Sequence, residues 1–235
     1  YEQERRPVGK HNVDWALNAF FNHFLLDSSI VGVHPDNLYD MESAEHVIRS
    51  YEALTEDSSN GRMSRARLQR VFKSQGIEYF AQDTEMGFVY SSKAIIPDNS
   101  AAPKRDPEGQ HYNPITRPGH RLPHCWLSDN NGSKLSTHDL IGSDDDFVLL
   151  TTSDTSSWQQ AAQLVFDQLQ LRIRVVTIGQ YREIYDSESR WESLKRVGND
   201  GAVLVRPDNI VAWMQQNDSN ASDNLLAALL SIAGK

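Results

Sequence analysis

Residues 147–178 read FVLLTTSDTSSWQQAAQLVFDQLQLRIRVVTI, and the fold is decided there. Phe147 to Thr152 is a short apolar run of the kind that forms a buried strand. From Ser156 to Leu169, the side chains of Trp158, Ala161, Ala162, Val165 and Leu169 recur at helical spacing and share one face. Ile173 to Ile178 is a second strand, rich in β-branched residues.

Downstream, Gly201–Val205 and Ile210–Trp213 are two strands joined by the tight turn Pro207-Asp208-Asn209, a hairpin by its turn chemistry. Asp223 is positioned to cap a last helix containing Leu225, Leu226, Leu229, Leu230 and Ile232. The order strand, helix, strand, hairpin, helix predicts a central sheet flanked by helices, in the order of a thioredoxin-like fold. Redox chemistry on such a fold needs Cys-x-x-Cys at the start of the helix after the first core strand, where the helix N-terminus lowers the thiol pKa. Residues 152–158 read TSDTSSW there, and the lone Cys125 lies upstream between His124 and Trp126. Disulfide exchange by this domain alone is excluded, and the fold serves as a scaffold.

Upstream, Pro97, Pro103, Pro107, Pro114 and Pro118 supply five of the nine prolines. Proline fixes φ and lacks a ladder donor, so the stretch is an extended connector. Before it, Val13, Ala16, Leu17, Phe20, Phe21, Phe24 and Leu25 make one broad aromatic helix face that needs a large partner surface; Pro7 kinks that helix or marks its first turn. Further helices are expected near Glu42–Leu54 and near Ser64–Ser74, the latter capped by Ser64. Met86, Phe88 and Tyr90 alternate, which predicts a strand over Thr84–Tyr90. The expected class is α/β: a helical segment with a strand over 1–96, a connector over 97–119, and a thioredoxin-like domain without a cysteine pair over 120–235.

The net charge of −9 disfavours nucleic acid as a partner, because an acidic chain repels phosphate. Against that balance, Arg62, Arg65, Arg67, Arg70 and Lys73 fill a short window without an acid, either a solvated helix face or an anion or partner site. One cysteine allows no internal disulfide, which together with the absence of a membrane span suggests a reducing, cytoplasmic setting. The sequons at Asn131, Asn217 and Asn220 are then chance matches. Tyr1 rather than methionine opens the sequence, so a trimmed chain or a piece of a longer one is expected. His111, His120, His124 and His138 cluster with Cys125 and Asp139, at spacings that match no standard metal-ligand pattern. The competing reading has His120, Arg121 and His124 fixing the connector to the sheet through hydrogen bonds, and His120, Arg121, His124 and Asp139 are the polar candidates for a site. Arg206 and Asp208 form a structural ion pair or face another domain. No G-x-S-x-G string points to a hydrolase.

Several strings line up with one family. Residues 1–9, YEQERRPVG, resemble the "Y-E-x-E-R-R-P" helix of flavin-dependent phenolic hydroxylases. Residues 85–92, EMGFVYSS, resemble their "E-x-G-F-x-Y-x-S" strand; residues 118–124, PGHRLPH, resemble "P-G-x-R-x-P-H"; and residues 136–142, STHDLIG, resemble "S-T-x-D-L-x-G". Residues 201–208, GAVLVRPD, followed by Val211-Ala212-Trp213, resemble "G-A-V-L-V-R-P-D-x-x-V-A-W-R", with Met214 in place of the final arginine. Five strings in order over nearly the whole chain identify it as similar to the C-terminal part of FAD-dependent aromatic monooxygenases, most like their fungal members. The resemblance implies FAD, NAD(P)H, oxygen and a phenolic or aromatic polyketide substrate for a complete enzyme. It also implies a flavin-binding domain or chain as partner, with a homodimer among the assemblies to expect. The family's FAD motifs lie upstream of the first matched string. No G-x-G-x-x-G and no Gly-Asp dipeptide occurs in this sequence, so no cofactor site is expected in this chain alone. A fragment of a full enzyme, the second chain of a split one, and a truncated relative are the three explanations. The last would act as a cofactor-free cyclase or isomerase, or as a non-catalytic partner subunit.

Overall fold

The structure is a computed structural model and describes residues 1–31, 44–142, 146–152, 156–179 and 182–234. The chain forms two compact units. An α/β unit comprises Tyr1–Arg6, Glu85–Arg105 and Tyr112–Lys235, and a helical unit comprises Pro7–Thr84 and Asp106–His111.

In the α/β unit, β3 (Phe147–Thr151), β4 (Ile173–Thr177), β6 (Ala202–Val205) and β7 (Val211–Gln215) form a sheet of order β4-β3-β6-β7. β3 and β4 run parallel with Leu149 opposite Val175, and the helix α6 (Ser156–Leu169) crosses between them. β6 pairs antiparallel with β3, and β7 with β6. This is the thioredoxin-like order. The strands read as nearly unbroken apolar runs because both faces are covered. One face sets Leu149, Leu204 and Ala212 against Trp158, Ala161 and Val165 of α6 and Leu225 and Leu229 of α8 (Ala221–Ala233). The other sets Val148, Leu150, Val203 and Val205 against Leu122, Leu127, Leu140 and Trp191.

A second, smaller sheet of order β2-β1-β5 joins β1 (Trp126–Asp129), β2 (Lys134–Ser136) and β5 (Ile184–Tyr185). A tight turn links β1 to β2: Asp129 accepts from the backbone N–H of Asn131 and Ser133, and Gly132 sits at φ +79°. That conformation suits glycine. The helix α7 (Arg190–Leu194) delivers the buried Trp191.

The helical unit holds most of α1 (Arg5–Val31), with α2 (Ala44–Ala53), α3 (Ser59–Ser74) and α4 (Gly76–Tyr79). Pro7 sits in the first turn of α1, where its missing N–H costs nothing. Gln75 Nε2 donates to the carbonyl of Asn22 at 2.9 Å, which ties α1 to the end of α3. Arg65 donates to the carbonyls of Leu54 and Glu56 and closes the end of α2 onto α3. Gly61 permits that approach, since a Cβ there would lie 2.3 Å from the Glu56 carbonyl oxygen.

Three sequence expectations need correction. Ser58, not Ser64, caps α3: its hydroxyl accepts from Gly61 N–H at 3.0 Å, so the helix starts a turn and a half earlier. The stretch Thr84–Tyr90 is not a strand. Its first residues belong to α5 (Gln82–Met86), whose start is held by Asp83 and Thr84 N–H groups on the Gly109 carbonyl. Val89 makes a single bridge to His120, so the alternation of Phe88 and Tyr90 reports extended backbone without a ladder. Asn220, in a left-handed conformation with no side-chain cap bond, precedes α8, and Asp223 lies inside the first turn. There its charge still suits the positive end of the helix. Residues 42–43 of the expected Glu42–Leu54 helix lie outside the described residues.

Candidate functional site

The segment that carries His120 and Arg121 is attached to the sheet by its backbone. Gly119 N–H donates to the Val211 carbonyl at 2.8 Å, the His120 carbonyl accepts from Val211 N–H at 3.0 Å, and Leu122 N–H donates to the Asn209 carbonyl at 2.8 Å. Gly119 must be glycine here, with φ +84° and the Tyr90 carbonyl oxygen 2.3 Å from where a Cβ would stand. The His120 ring is buried, which lowers its pKa; its Nδ1 lies 3.4 Å from the Pro118 carbonyl. Arg121 is half-buried, and its Nε has no partner among the described residues.

His124 points elsewhere, with its Nδ1 at 2.7 Å from Ser136 Oγ at the end of β2. Ser136 and Asp139 form a capping box on the 3-10 turn Thr137–Leu140: Ser136 Oγ accepts from His138 N–H and Asp139 accepts from Ser136 N–H. Thr137 Oγ1 donates to the Pro123 carbonyl, and His138 Nε2 donates to the Leu122 carbonyl at 2.7 Å. Burial lowers the pKa of His138. A serine beside a histidine invites a nucleophilic reading, but Ser136 Oγ is committed to a backbone amide and Asp139 does not orient His124. These contacts brace a turn. His111 belongs to the helical unit, where its N–H donates to Asp106. Among the described residues, no group of three His, Cys, Asp or Glu side chains converges to hold a metal. Cys125 is buried, and burial with the nearby Asp186 charge pushes its thiol up to about 12, so it stays protonated and unreactive.

A second cluster brings together residues from three of the five matched strings. Arg206, at the end of β6, holds Glu4 through both carboxylate oxygens at 2.6 and 3.0 Å, and Asp208 at 2.7 Å. Ser92 Oγ donates to Glu4 at 2.7 Å, Arg5 donates to the Tyr90 hydroxyl at 3.1 Å, and the Arg206 guanidinium lies 5.8 Å from the Tyr90 ring centroid. Glu4 and Arg206 are each only 15% exposed. The Arg206 hydrogen bond, opposed by burial and helped by Ser92, holds the Glu4 carboxyl below its ordinary range; Arg206 is held above its own. The ion pair of Arg206 with Asp208 is therefore real, and Glu4 is the partner that sequence reasoning missed.

At the C-terminal end of β3, where a redox-active relative of this fold would place its dithiol, stands a lysine. Lys195 is 3% exposed, and its ammonium reaches Asn199 Oδ1 at 2.9 Å, Glu192 at 2.9 Å and Thr152 Oγ1 at 3.4 Å. Trp158 Nε1 donates to the Asp200 carbonyl beside it. The ammonium's three donors are occupied, so Lys195 ties the corner shut. No local sequence signal marked it.

A dinucleotide needs a glycine turn that lets backbone amides meet phosphate at a helix start. Core strands lead into long helices at residues 152–155 and 216–220; neither stretch has a glycine, and each carries an acid, Asp154 and Asp218. The start of α3 is capped by Ser58 of its own chain, and α4, α5 and α7 are too short to serve. The residues present do not fit a flavin's pyrophosphate.

Comparison with known proteins gives the context. Residues 115–235 match the family model for the aromatic-ring hydroxylase C-terminal region. The chain is 31% identical over 218 residues to the phenol 2-monooxygenase of Pseudomonas sp. (strain EST1001), covering 92% of this chain and 35% of that protein. It is 25% identical over 241 residues to the FAD-dependent monooxygenase opdD of Penicillium oxalicum, covering all of this chain and 38% of that one. Among solved structures, the flavin-dependent monooxygenase PieE in complex with FAD and substrate superposes with a TM-score of 0.85 at 30% identity, over 99% of this chain and 39% of that one. The chain thus spans little more than a third of the length of these relatives, bacterial and fungal alike. With a family match over more than half its length, on a thioredoxin-like sheet that keeps the matched strings together, this chain belongs to the aromatic-ring hydroxylase C-terminal family.

Proposed function

We propose that this chain is the C-terminal portion or companion chain of a flavin-dependent monooxygenase that hydroxylates phenolic or aromatic polyketide substrates in the cytoplasm, and that FAD is held outside these residues. The observation that carries the reading is a mismatch: the chain matches a solved flavin enzyme over 99% of its length, yet holds no cradle for a dinucleotide phosphate. In this reading the α/β unit is a scaffold without redox chemistry, and the flavin-bearing part covers the aromatic face of α1. The flavin would supply the oxygen chemistry; these residues would exclude water and stabilise the closed assembly, including a homodimer. No helix among the described residues is long and apolar enough to cross a membrane.

The test is to purify the chain after incubation with FAD and record its absorption and intact mass. A colourless chain is expected. Adding the flavin-bearing part should give a heavier complex that is yellow and hydroxylates a phenol with NADPH. Stoichiometric FAD retained by this chain in isolation sinks the proposal, as does substrate turnover without any flavin.

A further inference from the structure

The sheet of the α/β unit has two edges, and the chain treats them differently. Along β7, Val211 bonds Gly119 and His120, and the Ala212 carbonyl accepts from Ile96 N–H at 2.8 Å, so backbone covers that edge. β4 is the end strand of its sheet, and its outer edge is covered at the C-terminal end, where Ile184 bridges Ile178 in parallel, and open over Ile173 and Val175 among the described residues. Ile178 N–H donates to the Thr151 carbonyl at 2.9 Å, toward β3. Backbone direction alternates along a strand. Even-numbered residues of β4 therefore face β3, and Ile173, Val175 and Thr177 turn their N–H and C=O groups outward. Gly179, next in the odd series, bears this out by donating outward to the Ile184 carbonyl at 3.0 Å. The parallel bridge of Ile178 to Ile184 takes up the Thr177 carbonyl as well, so the outward groups left without a strand partner among the described residues are those of Ile173 and Val175.

Beside this edge lies a groove of about 500 Å³ between β4 and α6. Its apolar wall is Ala162 and Phe166 of α6 with Ile173 and Val175 of β4. Arg172, exposed and without a partner among the described residues, and Arg174 stand on the same edge; Asp146 is the one acid in the lining. Arg174 spends part of its guanidinium on the Leu140 carbonyl. On a chain of net charge −9, this is a cationic spot.

We propose that the β4 edge accepts an extended acidic segment of a partner protein as an added strand. The open N–H and C=O groups supply the ladder, and the two walls supply selectivity. Apolar side chains of the added strand lie on the α6 side, over Phe166 and Ala162. Alternate acidic side chains lie on the side of Arg172 and Arg174. A second copy of β4 fits less well, because it brings two more arginines to one seam, where like charges repel.

The probe is the labelled peptide acetyl-Glu-Val-Glu-Val-Glu-Val-amide, with a Lys-for-Glu counterpart, titrated by fluorescence anisotropy against the full chain. The acidic peptide binds saturably, more weakly as salt rises, and at least about tenfold more tightly than the basic one. Val175→Pro removes an outward donor and is tolerated in an edge strand, so it abolishes binding while the circular dichroism spectrum and Tm stay close to the parent's. Arg172→Glu, at an exposed position, weakens the acidic peptide by about tenfold and keeps the proposal testable if the proline variant misfolds. Equal binding of both peptides, or indifference to Arg172→Glu, overturns the proposal. So does a dimer by light scattering that Val175→Pro dissociates, which makes a second copy the occupant.

Discussion

The α/β unit hides its large apolar side chains and the helical unit displays them. In the first, Leu149, Val165, Leu204, Leu225 and Leu229 are fully buried. In the second, Ala81 is the one buried apolar side chain among the described residues, while Phe21 is 63% exposed and Val13, Leu17, Phe20 and Leu25 are all more than half exposed. Burial of apolar surface is the main driving term of folding. The sheet therefore supports itself, while the helices rest on caps and polar ties such as Ser58 to Gly61 and Gln75 to Asn22. An apolar face of this size marks a surface built to be covered.

That contrast can be broken in graded steps. Trp158→Ala empties the core beneath α6 and removes the hydrogen bond to the Asp200 carbonyl, and should cost roughly 3–5 kcal/mol in denaturant unfolding followed by tryptophan fluorescence. Glu4→Gln should cost about 2–3 kcal/mol at neutral pH, because it leaves a largely buried guanidinium short of its counter-charge. The pH dependence of that cost follows from the lowered Glu4 pKa. The stability is complete above the unfolded glutamate value of about 4.3 and is lost as pH falls through the lower folded value, so parent and variant melting curves should converge in acid. Ser58→Ala should cost about 1 kcal/mol, read as helical signal lost before the fluorescence transition. Phe21→Ser should change stability by no more than roughly 0.5 kcal/mol while reducing binding of a hydrophobic dye. If Phe21→Ser costs as much as the tryptophan change, the helical unit has a core of its own and the contrast fails.

Legibility from sequence followed the same division. The sheet announced itself: α6 was expected over Ser156–Leu169 and lies there, and the hairpin around Pro207–Asn209 is present with one irregularity in register. Continuous apolar strands and a clear helical face leave little choice there. The small sheet was missed, since β1, β2 and β5 are short and half-exposed and show no period. The turn at Asp129-Asn130-Asn131-Gly132 is the local signal for it, an Asn-Gly pair of the kind that closes a hairpin. The polar candidates were legible as residues and not as roles. His120 and Arg121 act through their backbone, and His124 and Asp139 brace a turn. Glu4 and Arg206 were each in a matched string, but nothing local in either string says that they meet. Lys195 was invisible because only the tertiary fold brings Thr152, Glu192 and Asn199 to it.

The partnership of Glu4 and Arg206 joins residues 202 positions apart. On a ribosome, Glu4 emerges well before Arg206 and waits for the stretch between them to be translated. At about 5–20 residues per second that wait lasts on the order of ten seconds or more. The beginning of α1 thus acquires its anchor only after β6 has been made, and until then nascent chain carries a long aromatic helix with no fixed origin, a natural client for a chaperone.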